Sequence, residues 1–115
     1  RNKRLFEKID NTESYSAEYK AKLKETYQYF KDNGYEFTMH GLGRVVGQKK
    51  GKGKRTFTNE EALEILKKRP NYIQGDGQTI KFYDGIAVVQ AADTDEVISV
   101  VTKDKIRLDW KELKE

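Results

Sequence analysis

Apolar residues at Tyr19, Leu23, Tyr27 and Phe30 recur every three or four positions, which predicts a helix with one buried face. Ser14 or Ser16 can cap its start, and it runs to about Asn33, where Gly34 ends it in a left-handed turn. A second, short helix is predicted over Met39 to Val46. A third is signalled by Thr58-Asn59-Glu60-Glu61, a capping box, followed by a stripe of Ala62, Ile65 and Leu66, a basic last turn and Pro70. After Pro70 the period falls to two. Strands are predicted at Asn71–Gln74, Thr79–Tyr83, Ile86–Ala92 and Val97–Thr102, with Asp84-Gly85 as a two-residue hairpin. Gly75-Asp76-Gly77 and Asp93-Thr94-Asp95 read as longer turns. Ile106, Leu108 and Trp110 also alternate, so a last strand or docked tail is expected.

Helices first and strands afterwards define an α+β domain, with N-terminal helices packed on a four- to five-stranded antiparallel sheet. A chain of 115 residues holds one core, so residues 1–115 are read as a single domain. Its helical part covers about 1–69, its β-meander about 71–103, and its C-terminal strand or tail 104–115. Hydrophobic residues make up 36% and charged residues 37%, so the core is thin and leans on seven tyrosines, five phenylalanines and Trp110. The chain begins at Arg1, which reads as a domain excised from the end of something longer. No apolar run approaches the roughly 20 residues that cross a bilayer.

The charge is placed unevenly. From Arg44 to Arg55 there are six positive residues and no negative one; removing six from the net +4 leaves −2 for the remainder. Within that stretch Lys49, Lys50, Lys52, Lys54 and Arg55 crowd into seven residues with two glycines. Such a run favours a polyanion, with affinity that falls steeply with salt and carries little sequence information. It is not a phosphate-binding P-loop, because the spacing is wrong and no strand precedes it.

The chain has one histidine, His40, in His40-Gly41-Leu42-Gly43-Arg44. On a helix, residues four apart share a face, so His40 and Arg44 lie together while Leu42, Val45 and Val46 turn to the sheet. Glycine is a poor helix former, and Gly41, Gly43 and Gly47 read here as clearance for a ligand backbone. Histidine titrates near neutrality and suits proton transfer; arginine offers a fork for phosphate oxygens. That pairing fits RNA cleavage, in which a base takes the 2′-hydroxyl proton and a cation steadies the charge growing on phosphorus. A second proton-transfer group is then Lys103, a tyrosine such as Tyr83, or Glu36. Thr102 and Lys103 end the most apolar strand and are read as bringing a hydroxyl and an amine to the same cleft. There is no cysteine and no histidine pair, so thiolate and zinc chemistry find no ligands, and no cofactor is expected.

His40-Gly41-Leu42-Gly43-Arg44, the capped Phe57-Thr58-Asn59-Glu60-Glu61-Ala62-Leu63 and the meander ending in Val100-Val101-Thr102-Lys103 resemble C-terminal ribonuclease modules of bacterial polymorphic and contact-dependent toxins. These share the fold of barnase, EndoU, colicin D and RelE. The resemblance spans about Phe37 to Lys103. It implies metal-independent cleavage of RNA, often tRNA, in the cytoplasm of a competing bacterium, by a monomeric domain delivered at the end of a larger secreted or cell-surface toxin. A cognate immunity protein would block the site. It also implies roles: His40 as catalytic histidine, Arg44 as phosphate-binding arginine, Thr102 as the hydroxyl of the late strand with Lys103 beside it, and Lys54 or Arg55 as a further basic residue. Competing readings are a DNase toxin domain, a non-catalytic nucleic-acid-binding module with Tyr72 and Tyr83 stacking on bases beside a basic groove, and a protein-interaction domain.

Overall fold

A computed structural model describes residues 2–48 and 56–113, with side chains from Arg4 onward. The chain forms α1 (Asn2–Asp10), α2 (Ala17–Asp32), α3 (Met39–Val46) and α4 (Asn59–Leu66), then β1 (Tyr72–Gln74), β2 (Thr79–Tyr83), β3 (Ile86–Gln90), β4 (Val97–Thr102) and β5 (Trp110–Glu112). The fold is α+β, as the pattern of the chain predicts.

Local signals set most of these boundaries. Ser16 caps α2 by accepting from the Tyr19 amide, and Gly34 follows its end at φ +93°. Thr58 and Glu61 form the reciprocal capping box of α4. Asp84 and Gly85 both adopt positive φ, 53° and 77°, as a tight hairpin between right-twisted strands requires.

Three expectations need correction. Helix α1 was not foreseen, although Leu5, Phe6 and Ile9 supply its apolar side and Ile9 is fully buried. Helix α4 ends at Leu66, so Lys67, Lys68 and Arg69 lie beyond its last turn instead of forming it. The alternation at Ile106 and Leu108 does not mark a strand: both are exposed, and β5 begins only at Trp110.

The strands form one antiparallel sheet in the order β4-β3-β2-β1-β5. The sequence neighbours β4 and β5 therefore occupy opposite edges, joined by residues 103–109. All four helices cover one face. Leu23, Tyr27, Phe30, Leu42, Val45, Ile65 and Leu66 pack there with Ile86, Val88, Val97 and Val100. On the other face Ile80, Ala87 and Trp110 form a smaller cluster with Tyr72 and Phe82.

Helix α3 is fastened to the start of β4. Phe37 bridges Val97 in parallel, the Thr38 amide donates to the Val97 carbonyl at 3.0 Å, and the Thr38 hydroxyl donates to the same oxygen at 3.2 Å. That hydroxyl also caps α3, accepting from the Gly41 amide at 3.1 Å. A Cβ on Gly41 would stand 2.3 Å from the Val97 carbonyl oxygen, far inside contact distance. Only glycine lets the helix lie this close to the strand.

Candidate functional site

The fold carries His40 and Arg44 on the solvent side of α3, while Leu42 and Val45 are buried beneath them. The Arg44 Nε donates to His40 Nε2 at 3.3 Å, the only hydrogen bond at this imidazole among the described residues. Nε2 is the acceptor of this bond and so faces the guanidinium.

The three glycines of this segment serve different ends. Gly41 is spent on packing against β4, and a Cβ on Gly47 would meet the Gly43 carbonyl at 2.8 Å and the Tyr19 hydroxyl at 3.1 Å. Gly43 alone has nothing within 4 Å of its would-be Cβ, so it alone keeps the clearance expected of all three. Burial, with Tyr15 close by, pushes the Tyr19 phenol above its ordinary pKa.

The basic residues Lys49, Lys50, Lys52, Lys54 and Arg55 lie outside the described residues, but their two flanks do not. The Gln48 side-chain amide donates to the Phe57 carbonyl at 2.9 Å and accepts from the Phe57 amide at 2.8 Å, as a backbone partner in a sheet would. It also donates to the Val45 carbonyl at 2.9 Å. Residues 48 and 57 are thus held side by side at the C-terminal end of α3, less than two turns from Arg44. Nothing in the spacing of the sequence pointed to Gln48.

Thr102 and Lys103 are parted. Thr102 pairs across the sheet with Ile86, on the helix-covered face, whereas the Lys103 ammonium lies 5.7 Å over the Trp110 ring on the other. Consecutive residues leaving a strand point to opposite faces, so a shared cleft is ruled out by the pleat itself. The first turn of α3 is pinned at Val97, while Thr102 ends the strand, five residues or roughly 16 Å away. Among the described residues no hydrogen bond or ion pair joins Thr102 or Lys103 to His40 or Arg44.

The remaining proton-transfer candidates are also engaged elsewhere. Glu36 accepts from the Tyr27 hydroxyl and pairs with Lys31 at 2.9 Å. Burial pushes its carboxyl up, but the hydrogen bonds from Lys31 and Tyr27 outweigh this and hold it below the ordinary value. The Tyr83 hydroxyl donates to the Arg69 carbonyl at 2.7 Å, with the Lys68 ammonium 5.4 Å over its ring. Tyr72 and Tyr83, expected to stack beside one groove, occupy opposite faces of the sheet: Tyr72 pairs with Ile80 and Tyr83 with Ile86.

Among the described residues no three His, Cys, Asp or Glu side chains gather as a metal site would, and no helix is long and apolar enough to cross a membrane. No family model matches the chain, and neither a curated protein nor a solved structure does.

Proposed function

We propose that this chain is an endoribonuclease toxin domain that cleaves RNA, tRNA in particular, without a metal, at a site centred on His40 and Arg44. The observation that carries the reading is the Nε2 of His40 beside the Arg44 guanidinium on an open helix face, with the flanks of the basic run clamped by Gln48 at the end of that helix.

In the proposed reaction His40 Nε2 takes the proton of the 2′-hydroxyl, whose oxygen bonds to phosphorus. The bond from phosphorus to the 5′-oxygen then breaks, leaving a 2′,3′-cyclic phosphate and a 5′-hydroxyl. Arg44 turns from the imidazole to the phosphate oxygens and offsets the charge developing on them. Glu36, kept ionised by Lys31 and Tyr27, is no proton donor at neutral pH, so the leaving oxygen takes its proton from water. The hydroxide formed recovers a proton from His40, which frees the base for the next turnover. The resemblance to polymorphic-toxin ribonucleases adds delivery as the end of a larger protein and a cognate immunity protein as partner.

The test is total bacterial RNA incubated in EDTA with wild type, His40→Ala and Arg44→Ala, resolved on a denaturing gel. Discrete fragments bearing cyclic phosphate from wild type, lost in both variants, are expected. Intact RNA with wild type overturns the reading.

A second reading draws on the other face of the sheet. Tyr72, Phe82 and Trp110 have ring centroids 6.0–6.4 Å apart, with Lys103 over the indole. Trp110 is only 6% exposed, so the partly buried Tyr72 and Phe82 rings are the ones on which bases of a single-stranded nucleic acid would stack. It predicts RNA binding that quenches Trp110 fluorescence, with no cleavage and no effect of His40→Ala.

A further inference from the structure

Apart from α3, one lysine is buried where a charge is costly. Lys81 alternates in β2 with Ile80 and Phe82, faces the helix-covered side of the sheet and points under α4, only 9% exposed. Its ammonium has three N–H groups, of which one donates to the Leu66 carbonyl at 2.6 Å. It has no ion pair among the described residues. Burial lowers its pKa, and the nearby Asp95 carboxylate opposes that shift. A lone carbonyl at the C-terminal end of a helix steadies an ammonium only in part, since an unpaired buried charge costs several kcal/mol.

The Lys81 side chain borders a cleft of about 550 Å³ between the end of α4, the turn before α3 and the β3–β4 turn. That volume is in the range of small-ligand sites. Lys67, Lys68 and Arg69 lie along one wall, with Lys67 paired to Glu64 at 3.6 Å, and Glu36 and Asp95 are the acids of the lining. Glu36 is already satisfied by Lys31 and Tyr27. Thr79 and the buried Gln90 add hydrogen-bonding groups on the opposite wall, with Tyr35 at the margin.

We propose that this cleft is a binding site for a phosphate group, free or carried on a nucleotide-sized ligand, with Lys81 as its buried anchor. The proposal stands apart from RNA cleavage and shares no residue with the His40–Arg44 face. A phosphate oxygen accepts the N–H groups that Leu66 leaves unused, and Thr79 and Gln90 supply neutral donors to the others. Asp95, which enters no ion pair among the described residues, works against the anion, whereas the charge of Glu36 is offset by Lys31.

The test is isothermal titration of the folded domain with inorganic phosphate in one arm and uridine 3′-monophosphate in the other, at low salt. Wild type is expected to bind saturably in at least one arm. Lys81→Met should weaken binding at least about tenfold, as loss of a charge-assisted contact does. Asp95→Asn should tighten binding about threefold, because a like charge facing the anion is gone. Asparagine tolerates the positive φ of 61° at this position, so this variant keeps the test informative even if Lys81→Met does not fold. Tighter binding of the nucleotide identifies a nucleotide site and equal binding a free-phosphate site; either supports the proposal. No saturable binding by wild type in either arm overturns it, as does an Asp95→Asn protein that binds no better than wild type.

Discussion

His40 and Arg44 stand in water on a helix that is itself locked in place, whereas Lys81 is locked in place by the very atoms that surround its charge. On α3 the sheet-facing residues Leu42 and Val45 hold the element, leaving the outward pair with no part in the core. Under α4 one side chain does both jobs, filling space with its stem and tying the Leu66 carbonyl with its tip. A basic group whose support comes from its neighbours can be changed without disturbing the fold. A basic group that is its own support cannot.

The largest expected effect sits on the α3 side of this contrast. His40→Ala should reduce RNA cleavage by about 10²–10⁴-fold, the usual worth of a positioned proton-transfer group. Its urea midpoint should stay within about 0.5 kcal/mol of wild type, as for other exposed positions. A loss of both activity and stability would break the contrast.

Beneath the same helix the expectation reverses. Gly41→Ala places a Cβ 2.3 Å from the Val97 carbonyl and should cost about 2–3 kcal/mol in urea unfolding, the upper range for overpacking. Lys81→Ala should cost about 2 kcal/mol, by leaving a cavity and an unsatisfied helix-end carbonyl. Lys81→Met, which refills the space but leaves the Leu66 carbonyl unpaired, should recover only the cavity part of that loss.

Glu36→Gln is expected to cost about 1–2 kcal/mol at neutral pH, since it replaces charge-assisted hydrogen bonds by neutral ones. The pH dependence follows from the depressed carboxyl. Its stabilisation is complete above the unfolded value near 4.5 and is lost as pH falls through the lower folded value. The gap between wild type and Glu36→Gln should therefore close on acidification in a series of denaturation curves.

The smallest effect has the opposite sign. Gly43→Ala, with open space around the new methyl, should stabilise the domain by about 0.5–1 kcal/mol. If that methyl nevertheless slows RNA cleavage, Gly43 is the clearance that the ligand uses.

What could be read in the chain beforehand was what short-range chemistry decides. Ser16, Thr58, Gly34 and Asp84-Gly85 act on their immediate neighbours, and both ends of α2, the start of α4 and the β2–β3 turn fall where those signals place them. The shared face of His40 and Arg44 follows from helical spacing alone. The opposite facing of Thr102 and Lys103 was equally available, since it follows from the pleat. What escaped depends on elements far apart in sequence. Gly41 owes its identity to Val97, 56 positions on, and Lys81 owes its burial to a helix that ends at Leu66. Gln48 reveals its role only when Phe57 is brought back beside it. An alternating strand such as Thr79–Tyr83 says that Lys81 lies on one face, but not that the end of a helix will cover it.

The strand order has a consequence in time. Every buried residue of the main core precedes residue 101, so helices and meander hold all they need once β4 has formed. The second cluster lacks its centre until Trp110 arrives at the far edge, next to Gln74, to whose side chain its indole donates at 3.0 Å. Trp110 is the sole tryptophan, so fluorescence during refolding follows the closing of the sheet edge and is blind to the collapse that precedes it. A stopped-flow trace read at this indole and one read by circular dichroism would time two different events, and their separation is the lifetime of a domain with its last seam open.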